Sequence, residues 1–157
     1  MKHMKKEYNY EEMIEKTKKF YDSINVKIPD EKIKDALASL TMPMYAKEFN
    51  DKNANKKIND HRALATLGDA ICGFLLLRKK YHYDSTPKDL TFVKKLLKND
   101  NLNEKGKQLL KDNLFYSNND LKEDNKKSYA TAFEAVIGFL SLIDIKTAKI
   151  VFDDYIS

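Results

Sequence analysis

Two segments, Ala63 to Leu77 and Tyr129 to Ile143, are apolar nearly all round at helical spacing, and each carries one formal charge: Asp69 in the first, Glu134 in the second. A helix of that character is expected to be buried, so the rest of the chain must be built around the pair. A lone carboxylate inside such a helix costs several kcal/mol unless it is neutralised, hydrogen-bonded or bound to a cation. The companions of the two acids match, Asp69-Ala70-x-x-Gly73 and Glu134-Ala135-x-x-Gly138. Positions i and i+4 share a helix face, and a helical glycine is unfavourable by about 1 kcal/mol relative to alanine. We therefore expect the helices to cross on the sides that carry Gly73 and Gly138, bringing both carboxylates to one buried point. Two converging carboxylates suit a hard divalent cation such as Mg2+, which keeps several waters and takes only one or two protein carboxylates. The residues alone also allow a purely structural reading. In it Asp69 caps a helix that begins at Ala70, with Gly68 in the turn, and Glu134 pairs with one of the many lysines.

Helical periodicity dominates elsewhere too, with only four glycines and three prolines in 157 residues. Tyr8 to Ile24 reads as an amphipathic helix with Tyr10, Met13, Ile14, Thr17 and Tyr21 on one stripe. Pro29-Asp30 opens a second, with Ile33, Ala36, Leu37 and Leu40 inward and Pro43 closing it. Phe49 to Asn59 reads as a polar loop before the long helix from about His61 to Lys80. Thr86-Pro87 starts a helix through Lys98, and Asn103 another toward Phe115. Ser117 to Lys127 is a second polar loop, and a last helix runs from Lys146 to the end. The expectation is an all-α, single-domain protein: residues 30–157 as the domain, residues 1–29 as a helical extension packed on it.

Cys72 is the one cysteine, which excludes an internal disulfide and a cysteine-based zinc site. The longest apolar run, Ala70 to Leu77, falls well short of the ~20 residues that span a bilayer. With no apolar leader at the N-terminus, we expect a cytoplasmic protein. There is no Ser/His/Asp or Cys/His nucleophile arrangement and no glycine-rich phosphate loop. Lys and Arg number 29 against 24 Asp and Glu, and only Arg62 and Arg78 are arginine. Lysine meets phosphate oxygens as a point charge, whereas reading of base edges favours the arginine fork. A nucleic-acid partner would therefore be recognised by backbone and shape. The alternative is an ordinary solvated lysine surface.

Asn59-Asp60-His61-Arg62-Ala63-Leu64-Ala65-Thr66-Leu67-Gly68-Asp69-Ala70 resembles the ribonuclease III signature, whose centre is a leucine-glycine-aspartate-alanine step in a long helix. The stretch from Ala38 to Glu48 is similar to the helix that precedes it in that family. Tyr129-Ala130-Thr131-Ala132-Phe133-Glu134-Ala135-Val136-Ile137-Gly138 resembles the family's second acidic helix, with wording closest to the short Mini-III subgroup. The resemblance covers roughly residues 30 to 157. It implies a homodimeric, all-α endonuclease domain that cuts double-stranded RNA with Mg2+, Mn2+ being able to stand in, and no double-stranded-RNA-binding domain beside it. It makes Asp69 and Glu134 catalytic metal ligands and draws Arg62, Lys94, Lys95, Lys126 and Lys127 to the RNA. Longer members carry further acids where this chain has Arg62, Ala65 and Thr131, so Arg62 either contacts the scissile phosphate or neutralises Asp69. The reduced acid set also leaves a second reading, a ribonuclease III-like RNA-binding or ribosome-associated protein without catalysis. Glu48, Asp60 and Asp124 are candidates for a third carboxylate.

Overall fold

The computed structural model describes residues 7–95, 97, 100–118, 120 and 128–156. Helix α1 (Tyr10–Ser23) begins at a reciprocal cap, in which the Asn9 side chain accepts from the Glu12 N–H and the Glu12 carboxylate accepts from the Asn9 N–H. Its buried face is Met13, Ile14, Thr17, Phe20 and Tyr21. The Tyr21 ring lies 5.0 Å from that of Phe139, and its hydroxyl is 2.6 Å from the Ser39 hydroxyl. A 3₁₀ turn (Asp30–Lys32) leads into α2 (Ile33–Ser39), which buries Ala36, Leu37 and Ala38.

Pro43 does not merely close α2. It opens a further helix, α3 (Pro43–Lys52), which covers the end of the stretch that resembles the family's preceding helix and runs on through Phe49–Lys52, expected to be loop. The reason lies far along the chain. Asp120, itself buried, accepts hydrogen bonds from the N–H groups of Met44 and Tyr45 at 3.0 and 3.1 Å, and from Ser117 at 2.9 Å. A carboxylate at the first turn also complements the helix dipole.

The long helix α4 (Arg62–Lys80) is followed by α5 (Pro87–Lys95), capped by Thr86 and Asp89, and by α6 (Asp100–Leu110). Helix α6 starts three residues before Asn103, whose side chain caps α7 (Ser128–Ile143) by accepting from the N–H groups of Tyr129 and Ala130. The last helix, α8, is Ile145–Ile156. Among the described residues there is no strand, only an isolated bridge between Thr41 and Phe115. No helix among them is long and apolar enough to cross a membrane.

The architecture is all-α and centred on α7. Its Ala132, Phe133, Val136, Ile137, Phe139 and Leu140 are fully buried, and α2, α4, α6 and α8 pack around it. Burial of each of the larger side chains stabilises the fold by about 1.5–3 kcal/mol. This expected hub is what fixes the position of α4.

Candidate active site

Helices α4 and α7 meet backbone to backbone. A Cβ on Gly68 would fall inside the Glu134 carbonyl oxygen and 3.0 Å from the Gly138 nitrogen. A Cβ on Gly138 would strike the Leu64 carbonyl and lie 3.0 Å from the Gly68 nitrogen. Only glycine permits this approach at either position. Asp69 follows Gly68 directly, and Glu134 supplies the carbonyl against which Gly68 rests. The two acids therefore flank one crossing. The buried Cys72 thiol registers both: burial pushes its pKa far up, and the charges of Glu134 and Asp69 push it further. A thiol so held is no nucleophile.

Two expectations are corrected. The crossing uses Gly68 and Gly138, not Gly73, whose missing Cβ would sit 3.8 Å from the Cε atom of Lys94 on α5. Nor are the acids a buried pair: Asp69 is exposed and Glu134 half-buried. The physical reason is that one whole side of α4 faces water. Ala63, Leu67, Ala70 and Phe74, at helical spacing, are exposed with it, Leu67 by 36% and Phe74 by 50%. The solvation penalty that marked Asp69 out in the sequence does not apply on that side. Asp69 also lies within α4, so it caps no helix beginning at Ala70.

Arg62 does not neutralise Asp69. Its Nε lies 3.1 and 3.0 Å from the two Asp60 carboxylate oxygens, and its Nη2 lies 2.7 Å from Oδ2. Burial raises the Asp60 carboxyl, but the hydrogen bonds and charge of Arg62 outweigh it and hold the group below the usual carboxylate range. The Arg62 side chain stays 73% exposed. Asp60 is thus occupied rather than a further metal ligand, although its spacing two residues before Arg62 is a turn signal readable in the sequence. Glu48 lines a separate cleft with Tyr8, Tyr45 and Phe49. Among the described residues no three or more His, Cys, Asp or Glu side chains are grouped to hold a metal ion. Lys94 stands over Gly73, one turn from Asp69, and Lys95 beside it is exposed. Lys126, Lys127 and Asp124 lie outside the described residues.

The family model described as the ribonuclease III domain matches residues 62–144, more than half of the chain, from the first residue of α4 to the end of α7. The chain belongs to the ribonuclease III domain family. No curated protein matches it. Ribonucleases III act on double-stranded RNA, are generally dependent on a divalent metal and usually dimerise. Two carboxylates at one helix crossing fit such a cation, because Mg2+ is satisfied by one or two protein carboxylates and fills its remaining positions with water. Of the positions where longer ribonucleases III carry further acids, Arg62 is exposed, Ala65 buried and Thr131 half-buried.

Proposed function

We propose that this ribonuclease III domain is a Mg2+-dependent endoribonuclease that hydrolyses phosphodiester bonds in double-stranded or structured RNA, in RNA or ribosomal-RNA processing, and that it is of the Mini-III type. Residues 30–157 form the nuclease domain, with residues 1–29 as its packed extension. The observation that carries the reading is the Gly68–Gly138 crossing with Asp69 and Glu134 on its flanks. These two carboxylates would hold the cation, Mn2+ serving in place of Mg2+. When bound, it would supply activation of the attacking water and stabilisation of charge on the phosphate. Asp69, exposed, is open to an RNA strand, and the main chain of half-buried Glu134 packs against Gly68 at the crossing. Lys94 and Lys95 meet backbone phosphates, as do Lys126 and Lys127, and the open side of the Arg62 guanidinium adds a further contact.

The exposed stripe Leu67, Ala70 and Phe74 runs beside Asp69 and supports a homodimer through α4, since contiguous apolar surface on a charged protein marks an interface. The test is a cleavage assay on RNA duplexes with Mg2+, comparing the wild type with Asp69→Asn and Glu134→Gln. The reading requires duplex cutting by the wild type and its loss in both variants, and Mn2+ binding followed by electron paramagnetic resonance should weaken in parallel.

A second reading is favoured by one observation, the absence of a third metal-ligating side chain at the crossing among the described residues. In it the domain binds RNA, or the ribosome, without cutting. Wild-type protein that binds duplexes but leaves them intact in both Mg2+ and Mn2+ would select it.

A further inference from the structure

Outside residues 62–144 the structure holds a concave basic pocket that the site above does not use. It is bounded by α1, α2 and the segment between α3 and α4. Lys34, Lys56 and Lys57 line it, over a floor of Tyr10, Leu37 and Ile58, and no Asp or Glu is among the described residues that line it. All three lysines are exposed residues. Lys34 and Lys57 have no carboxylate within ion-pair distance among the described residues. Lys56 sits 4.1 Å from the centroid of the Tyr10 ring and 3.9 Å from the Glu11 carboxylate at the rim.

The wall that carries Lys56 and Lys57 is held in place. Ile58 is buried, its N–H donates to the Asn50 side-chain oxygen at 2.8 Å, and its carbonyl accepts from the Asn50 amide at 2.9 Å. Asn50 thus pairs with Ile58 as a neighbouring backbone would. A concavity lined by three cations raises the local concentration of anions, and a compact ammonium suits a phosphate oxygen. Ile58 and Asn59 also line the adjoining depression that runs to Asp60 and Arg62 at the start of α4. The pocket and the start of α4, the helix that carries Asp69, therefore border one continuous depression.

We infer that the pocket of Lys34, Lys56 and Lys57 is a phosphate-binding site, taking a backbone phosphate of the RNA or a free phosphate. The RNA source rests on the function proposed above, and the free-phosphate source does not. The test compares full-length Lys34→Ala/Lys57→Ala with Lys18→Ala/Lys19→Ala, which removes the same charge from exposed positions elsewhere on α1. Both pairs are exposed, so both variants should melt with the wild type. Binding of a blunt RNA duplex is measured in chelator across a salt series, and inorganic phosphate and pyrophosphate are titrated against the amide resonances of Asn55 to Asn59.

If the phosphate comes from RNA, the pocket variant loses about tenfold in duplex affinity, and its log–log salt slope falls by about one, while the control changes less. If it is free, duplex binding is equal in the two variants, and only the pocket variant loses the pyrophosphate-induced shifts. Equal behaviour of both variants in both measurements overturns the site. Should wild-type protein bind no duplex at all, the function proposed above fails, and the pyrophosphate titration still decides the pocket.

Discussion

Helices α4 and α7 read almost alike in sequence, each apolar with one acid, an alanine after it and a glycine four residues on, yet the fold uses them in opposite ways. Helix α7 is packed on by α2, α4, α6 and α8. Helix α4 gives one side to α7 and leaves Leu67, Asp69, Ala70 and Phe74 to water. Apolar composition nearly all round a helix therefore does not mean that the chain covers every side of it. On α7 the covering is intramolecular. On α4 an acid, Asp69, and an apolar stripe share the open side.

The largest expected effect breaks the comparison if it fails. On the proposed function, Asp69→Asn and Glu134→Gln should each lower single-turnover cleavage of duplex RNA by about 10²-fold or more, because each would take away one of the two carboxylates assigned to the cation. Their effects on stability should differ. Asp69 is exposed, so its substitution should change unfolding free energy by no more than about 0.5 kcal/mol. Glu134, half-buried at the crossing, should show a measurable change in urea unfolding. Equal, large losses of stability with cutting retained would make both acids structural.

The glycines sharpen the comparison next. Gly68→Ala forces a Cβ into the Glu134 carbonyl, and neither helix backbone can yield cheaply, so a loss of about 2–4 kcal/mol is expected. Gly73→Ala meets only the far end of Lys94 at ordinary contact distance and should gain up to about 1 kcal/mol from helix propensity. Denaturant midpoints of the two variants should move in opposite directions. A loss at Gly73 as large as at Gly68 would mean that the crossing runs along the sequence-expected side after all.

The open side of α4 yields the third test. Phe74→Lys places a charge in the middle of the exposed stripe and should weaken self-association by at least about tenfold, seen as a concentration-dependent shift in sedimentation velocity. The same change should leave the monomer's stability within about 0.5 kcal/mol, since Phe74 is half in water already. Unchanged association would assign the stripe to something other than a second copy.

These contrasts also mark what was legible in advance. The helices with local signals were: the stripe of Tyr10, Met13, Ile14, Thr17 and Tyr21 marks α1, and Thr86-Pro87 starts α5. The two acids were legible because charge inside an apolar run stands out. Helix α3 was not. Met42 before it offers no capping side chain, and the carboxylate that satisfies its first turn is Asp120, more than 70 positions downstream. The start of α6 was misread for the same reason, since Asn103 spends its side chain on α7. Which of Gly68 and Gly73 lies at the crossing depends on the rotation of α4 about its axis. Periodicity fixes that only where one side is polar, and α4 has no such side.

The smallest expected effect contrasts the two ends of this exposed helix side. His61, the residue that precedes α4, is only 2% exposed, its Nδ1 has no hydrogen-bond partner among the described residues, and burial holds its pKa below the ordinary value. Asp60 and Asp120 pull the pKa upward without cancelling that effect, and Arg62 adds to it. In the unfolded chain the imidazole takes its proton near pH ~6.5. The folded protein takes it at lower pH, so between the two values the unfolded state binds more protons and stability rises with pH. The contribution is complete above about pH 6.5 and is lost as the pH falls toward the folded value. His61→Leu removes the titration while the backbone hydrogen bonds of residue 61 to Thr41 and Ala65 remain. The melting temperature of this variant should fall less than that of the wild type between about pH 7 and pH 5, by a few degrees at most. An unchanged pH dependence would mean that the imidazole is protonated in place, with a partner at Nδ1, and that the base of α4 is as open to water as its exposed side.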